Sequence, residues 1–301
     1  MIPAKNNWHG WLYVLPALIL LTAFLVYPTI QTFRLSLYGG FGFNPKEFVG
    51  LDNYVRLLTK DQYFFKVNEW PPSGALINNV IWLVLFTGGT LGLGLLLAVL
   101  ADRVKYETYL KSIIFLPMVI SATAASVIFR FVYSPDATVG ALNAFLTAMI
   151  PNFKPVPWLG RPNLANLCVI WAGIWIWTGL SMTVLSAAYK SLDRNVLEAA
   201  TVDGANEWQK FWRISMPMMA NPISFVIMTM IINALKMLDL VLVMTRGGPR
   251  NASRVIGFSF YWEVFNNRLV GYGSAIAIIM LILLAPIMII QVRRLSSQST
   301  F

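Results

Sequence analysis

Charged residues are scarce in this chain, and their spacing divides it into runs. Charge-free stretches extend from His9 to Arg34, Glu69 to Asp102, Lys111 to Arg130, Arg161 to Lys190, Arg213 to Lys236 and Arg268 to Arg293. The fifth continues past Lys236 and Asp239 to Met244. About 20 apolar residues in a helix cross a bilayer. The pattern therefore predicts six transmembrane helices, at about 11–33, 76–101, 111–133, 164–188, 218–244 and 271–291. The expected fold class is all-α, a single polytopic membrane domain over residues 1–301.

A seventh gap, Asp136 to Lys154, reads differently. Val139, Leu142, Phe145, Leu146, Met149 and Ile150 recur at helical spacing on one face, while Asn143 and Pro151 interrupt a span. That is the pattern of an amphipathic helix lying at the membrane interface. The first run is too long for a signal h-region, and Tyr27-Pro28-Thr29 follows it without a small-residue cleavage site. It is expected to be a retained helix. In the second run, Gly88, Gly89, Gly92 and Gly94 are expected to let helices approach closely.

Composition narrows the class. Hydrophobic residues make up 57% and charged residues 12%, which cannot coat a soluble globule. The formal net charge of +10 would suggest nucleic acid in a soluble protein; here basic residues fit membrane edges. They do not decide orientation. Ten Lys and Arg lie on the side of both termini and eleven on the other. The ten sit nearer the span ends, a mild preference for cytoplasmic termini. One Cys (Cys168) and one His (His9) leave no disulfide and no metal cluster to expect. No Gly-x-x-x-x-Gly-Lys-Ser/Thr run is present, so the chain is not expected to bind ATP.

The loop at 189–217, between spans four and five, carries the most specific signal. It reads Glu198-Ala199-Ala200-Thr201-Val202-Asp203-Gly204, then Ile214-Ser215-Met216-Pro217. Small residues at Ala199 and Ala200 admit a second protein close to a helix. Gly204 permits a sharp turn between two short helices. Asn206 is placed to cap the second, which runs through Trp208, Phe211 and Trp212, and Pro217 marks the start of span five.

This spacing resembles the EAA loop of the permease subunits of binding-protein-dependent ABC importers, with Met216 where Leu is usual. The resemblance implies that the loop is cytoplasmic. It also implies that Glu198, Ala199, Ala200, Asp203, Gly204 and Pro217 couple it to an ATP-hydrolysing subunit. A second signature, Thr245-Arg246-Gly247-Gly248-Pro249 and then Gly271-Tyr272-Gly273-Ser274-Ala275, resembles the carbohydrate branch of maltose-transporter type. Ala101-Asp102-Arg103-Val104 with Ile114-Phe115-Leu116-Pro117-Met118 leans toward permeases for α-glucosides and related glycosides.

The implied partners are a homologous second permease, two ATP-binding subunits, an extracytoplasmic sugar-binding protein, the sugar and the bilayer, with no nucleic acid. The loops 38–75, 134–163 and 245–270 are expected to face the binding protein. No cofactor is expected in this chain, since ATP and Mg belong to partner subunits. The implied place is the inner (cytoplasmic) membrane, and the implied role is transport of a di- or oligosaccharide or glycoside rather than catalysis.

Polar and aromatic groups inside spans are the candidate pathway. Lys236 and Asp239 lie three apart, on one face of a continuous helix, where they would neutralise each other, either as a structural pair or bordering the pathway. Asn233 lies one turn before, with hydrogen-bonding capacity for a sugar hydroxyl. Arg130 is expected to snorkel to the outer interface. In span four, which also holds Trp177, Trp171 and Trp175 share a face. They fit sugar stacking or lipid and helix packing, and the resemblance places Trp175 at a sugar-contacting tryptophan. Two rivals remain: an ABC permease for a non-sugar solute, which the Thr245–Pro249 turn disfavours, and a membrane-embedded enzyme, which would need more acid–base groups than Lys236 and Asp239.

Overall fold

The computed structural model describes residues 8–66 and 74–298, without the side chains of 8–10 and 295–298. Glu69, used above as a charge marker, lies outside the described residues. The chain divides into two units. One runs to Lys60 and includes Phe260–Leu281; the other comprises Asp61–Ser259 and the chain from Ile282.

In the first unit, α1 (Trp8–Leu21), a π-helical turn (Thr22–Val26) and α2 (Tyr27–Ser36) join into one apolar span, Trp11–Ser36. None of its 18-residue apolar window is buried within this chain. A two-residue hairpin follows, β1 (Tyr38–Gly39) with β2 (Glu47–Phe48), and then a short helix, α3 (Asp52–Val55). Buried Asn53 ties them together by donating to the carbonyls of Ser36 (2.8 Å) and Tyr38 (3.0 Å). The Arg56 guanidinium lies 4.6 Å from the Tyr272 ring centre. The Gly-Tyr-Gly-Ser-Ala signature has a packing reason here. A Cβ on Gly271 would collide with the Tyr38 carbonyl, and one on Gly273 with the Val264 side chain.

The second unit begins with α4 (Ala75–Asp102), α5 (Glu107–Val119), α6 (Ala122–Val132) and α7 (Ala141–Met149). Next come α8 (Pro162–Lys190), α9 (Arg194–Val202), α10 (Glu207–Lys210), α11 (Met216–Met218), α12 (Ala220–Leu235) and α13 (Asp239–Met244). Two helices span the division of the chain: α14 (Ile256–Tyr261) and α15 (Val270–Gln298). The α4–α8 pair forms the centre of this unit, with α5 against α8 and α12 against α4. Lipid removes the hydrophobic drive between helices, so small residues and close packing must hold them. A Cβ on Gly94 would overlap Ser181, and one on Gly89 would reach Ile174 at 2.6 Å. From the facing helix, Gly173 leaves room for Trp82 and Phe86, and Gly179 for the backbone of Ile114 and Phe115. Gly88 and Gly92 are different, since a Cβ there would meet nothing within 4 Å. The expectation that all four α4 glycines serve helix packing therefore holds for two.

Among the described residues, four helices are long and apolar enough to cross a membrane, or up to six where each of two bent pairs counts as one span. The third expected span is one of these pairs. It turns by 98° between α5 and α6, where Pro117 removes a helical donor, Ile120 is extended and the Ser121 hydroxyl caps α6 through Ala124 N–H (3.2 Å). The fifth is shorter than the charge gap suggested. Its helix α12 starts after a 71° bend at Met219 and ends at Leu235. Lys236 and Leu238 then leave helical geometry before α13. The helix expected within the Asp136–Lys154 gap is α7, whose Phe145 and Met149 side chains are exposed, as are the flanking Val139 and Ile150. Its Asn143 is fully buried and organises the loop. It donates to the carbonyls of Ser134 (2.8 Å) and Val156 (3.0 Å) and accepts from Val156 N–H and the Trp158 indole (both 3.0 Å).

Candidate functional site

The 189–217 loop is two short helices set at a glycine hinge. Asp193 caps α9 by accepting from Asn195 N–H at 2.9 Å. Glu198, Ala199 and Ala200 lie on that helix, and Asp203 ends it. Gly204 has φ of +82°, a left-handed geometry that suits glycine. Asn206 and Gln209 then close a reciprocal capping box: Asn206 Oδ1 accepts from Gln209 N–H (2.8 Å), and Gln209 Oε1 from Asn206 N–H (3.0 Å). The two-helix hinge and the asparagine cap expected from the sequence are both present.

The two faces of the loop differ. Glu198, Ala199, Val202, Asp203 and Gly204 are exposed, Val202 by 89%. Ala200 is buried against its own chain, whereas its neighbour Ala199 is exposed. Pro217 is exposed at the start of the bend that leads into α12. Ion pairs tie this end of the bundle together. Lys190 pairs with Glu107 and lies 3.9 Å from Asp102, and Glu107 also pairs with Lys111. Glu207 pairs with Lys210 and is 4.0 Å from Arg103. The Lys210 ammonium bonded to it holds the Glu207 carboxyl below its usual range, with Arg103 adding a smaller attraction.

The expected pathway residues do not converge on one pocket. Trp171 and Trp175 stand on the open face of α8, 54% and 37% exposed, with Leu167 in line one turn earlier. Trp175 rests edge-on against Phe129 of α6, centroids 5.3 Å apart. Asn233 spends its amide N–H on the Thr229 carbonyl of its own helix (2.9 Å). Lys236 and Asp239 are exposed on either side of the break between α12 and α13. They do not share a continuous helix face, and no salt bridge joins them among the described residues; the helix break replaces the expected pair. Arg130 is exposed and lines a cleft of about 620 Å³ with Tyr133, Leu159 and Met244.

A polar lock at the far end of α4 was missed from sequence. Asn79 donates to the Ala234 carbonyl (3.1 Å) and accepts from Ile256 N–H (2.7 Å). Asn78 donates to the Arg254 carbonyl (2.8 Å) and accepts from Asn166 (3.3 Å), which in turn accepts from the Trp82 indole (3.0 Å). The buried Arg254 side chain bonds Ser259 (2.9 Å) and lies 5.3 Å from the Tyr63 ring centre. The Gly-Gly-Pro turn is held by Ser253, which donates to the Gly248 carbonyl (2.7 Å) and shares a bond with Thr245 (2.7 Å). The signal available was Asn78-Asn79 at the start of an otherwise apolar span, where buried amides need partners.

A long two-helix core, two bent helix pairs and a two-helix loop define an all-α polytopic membrane fold. The chain matches the family described as "Binding-protein-dependent transport system inner membrane component" over residues 90–297, and it belongs to that family. It is 44% identical over 291 residues to the osmoprotective compounds uptake permease protein GgtC of Synechocystis sp., covering 95% of this chain and 99% of that one. It is 36% identical over 298 residues to the alpha-glucoside transport system permease protein AglF of Rhizobium meliloti, covering 98% and 84%. Its fold matches a chain of the bacterial alginate ABC transporter crystallised with an alginate-bound periplasmic protein. The TM-score is 0.77 at 21% identity, over 95% of this chain and 93% of that chain.

Proposed function

We propose that this chain is a membrane-spanning permease subunit of an ABC importer for a sugar or glycoside. The coupling loop 189–217 faces the cytoplasm and docks on an ATP-hydrolysing partner, so both chain ends lie on the cytoplasmic side. A second permease, an ATPase pair and an extracytoplasmic binding protein complete the assembly. Closure of the ATPase pair moves the loop, and the packed α4–α8 pair transmits the motion toward the pathway. Glu198, Ala199, Asp203 and Gly204 form the docking face. Trp175, Trp171, Asn233, Lys236 and Asp239 border the pathway.

The observation that carries the reading is the coupling loop: its EAA spacing falls on an exposed two-helix hinge that two long helices hold in place. The printed names of GgtC and AglF support an osmoprotective compound or an α-glucoside as the cargo class. An uptake assay tests it. Cells carrying the transporter are expected to accumulate labelled α-glucosides or glycosidic solutes, and deletion of this chain abolishes that uptake. Retained glycoside uptake after deletion, or loss of peptide or polyamine uptake instead, contradicts the reading.

A further inference from the structure

The inner half of α4 carries a groove that the transport reading leaves unused. Gly92, Leu96 and Val99 share one face of α4 and form one wall, and Trp208 and Trp212 form the other. The cavity measures about 500 Å³, and its lining is mostly apolar. The absent side chain of Gly92 adds to the open space, since a Cβ there would touch nothing within 4 Å. Arg103 and Lys210 stand at the rim with Glu207 between them. Trp208 is 71% and Trp212 47% exposed, and their rings meet edge-on at 5.5 Å.

We infer that this groove seats one acyl chain of an anionic phospholipid, its headgroup held at the rim by Arg103 and Lys210. The lipid comes from the leaflet beside the coupling loop. Three features point to that occupant. From Gly92 to Arg103 the helix rises roughly 16 Å, close to half of a hydrocarbon core of about 30 Å. Two cations against one carboxylate leave about one net positive charge for a phosphate diester, and a basic pocket between helices on this side suits such headgroups. Exposed indoles in the second wall, next to Lys210 in the chain, match the preference of tryptophan for the headgroup boundary. The lipid would brace α4 against the coupling loop, linking the bilayer to the ATPase lever. The inference rests on the loop lying at the membrane edge; cysteine labelling at Ala199 tests that separately.

The experiment is native mass spectrometry of the assembled transporter, titrated with phosphatidylglycerol or phosphatidylcholine. The complex is expected to retain phosphatidylglycerol about fivefold more strongly than phosphatidylcholine, the effect of about one charge. Arg103→Gln with Lys210→Gln leaves only the Glu207 charge at this site and should bring that ratio to one or below. Gly92→Phe, which fills the groove, should lower retention of both lipids. Equal retention by the native complex, retention of neither lipid, or undiminished selectivity in the Arg103→Gln, Lys210→Gln variant overturns the proposal. That variant alters polar rim positions and decides the matter even if Gly92→Phe fails to assemble.

Discussion

The two ends of α4 are built on opposite principles. At its start, Asn78 and Asn79 reach across to Arg254, Ile256, Ala234 and Asn166, and little polar surface is left open. At its finish, Arg103 faces an open groove, and beyond it the coupling loop exposes Ala199, Val202, Asp203 and Trp208. The glycines follow the same division in part. Gly89 and Gly94 are filled by neighbours, whereas Gly92 on the groove side is not. One end is closed by bonds inside the chain, and the other offers surface for partners.

The largest expected effect lies at the open end. Gly204→Val places a β-branched residue at φ of +82°, a strain of about 1–2 kcal/mol before any partner is met. Uptake should fall about tenfold or more while the protein still inserts, as read by transport of labelled glycoside. Asn tolerates the left-handed region, so Gly204→Asn should retain more activity than Gly204→Val. Equal activity of the two would assign the effect to side-chain bulk alone.

At the closed end the effect is on stability. Asn79→Leu leaves Ile256 N–H without its acceptor and removes one of the donors to the Ala234 carbonyl, costing about 1–3 kcal/mol in thermal or denaturant unfolding. Gly94→Val, forced against Ser181, should cost a similar 1–3 kcal/mol or so, whereas Gly88→Val at an open position should be near neutral. If both glycine variants are neutral, the account of α4–α8 packing fails.

Smaller effects are expected in the pathway. Trp175→Ala should reduce transport severalfold while assembly with the ATPase persists; unchanged uptake removes it from the pathway. The smallest effect is a coupling energy. Because a helix break separates Lys236 from Asp239, a double-mutant cycle of Lys236→Gln and Asp239→Asn should show an interaction within about 0.5 kcal/mol of zero.

Much of this was readable from the chain. Charge-free runs fall on the four long apolar helices and on the two bent pairs, because burying charge in lipid is costly at any point along a span. Gly204 and Asn206 declared the hinge and its cap, because local backbone geometry depends on a few neighbouring residues. What escaped is long-range. The bend at Ser121 was signalled by Pro117, yet hydropathy averages across it. Lys236 and Asp239 looked paired because their spacing suits a helix that stops one residue earlier. The partners of Asn78 and Asn79 lie far away along the chain, and no local pattern names them. The inward turn of Ala200 depends on the packing of α9, which two adjacent alanines do not reveal.

The central claim is that the exposed face of the coupling loop meets an ATP-hydrolysing subunit on the cytoplasmic side. Cysteine cross-linking tests it directly. With Cys168→Ala as background, Ala199→Cys should cross-link to the ATP-binding subunit, with a yield that changes on adding ATP. It should also take up a membrane-impermeant thiol reagent only from the cytoplasmic side. Ala200→Cys, buried in its own chain, should do neither efficiently. Labelling of Ala199→Cys from outside the cell, or its cross-linking to the extracytoplasmic binding protein instead, would contradict the account.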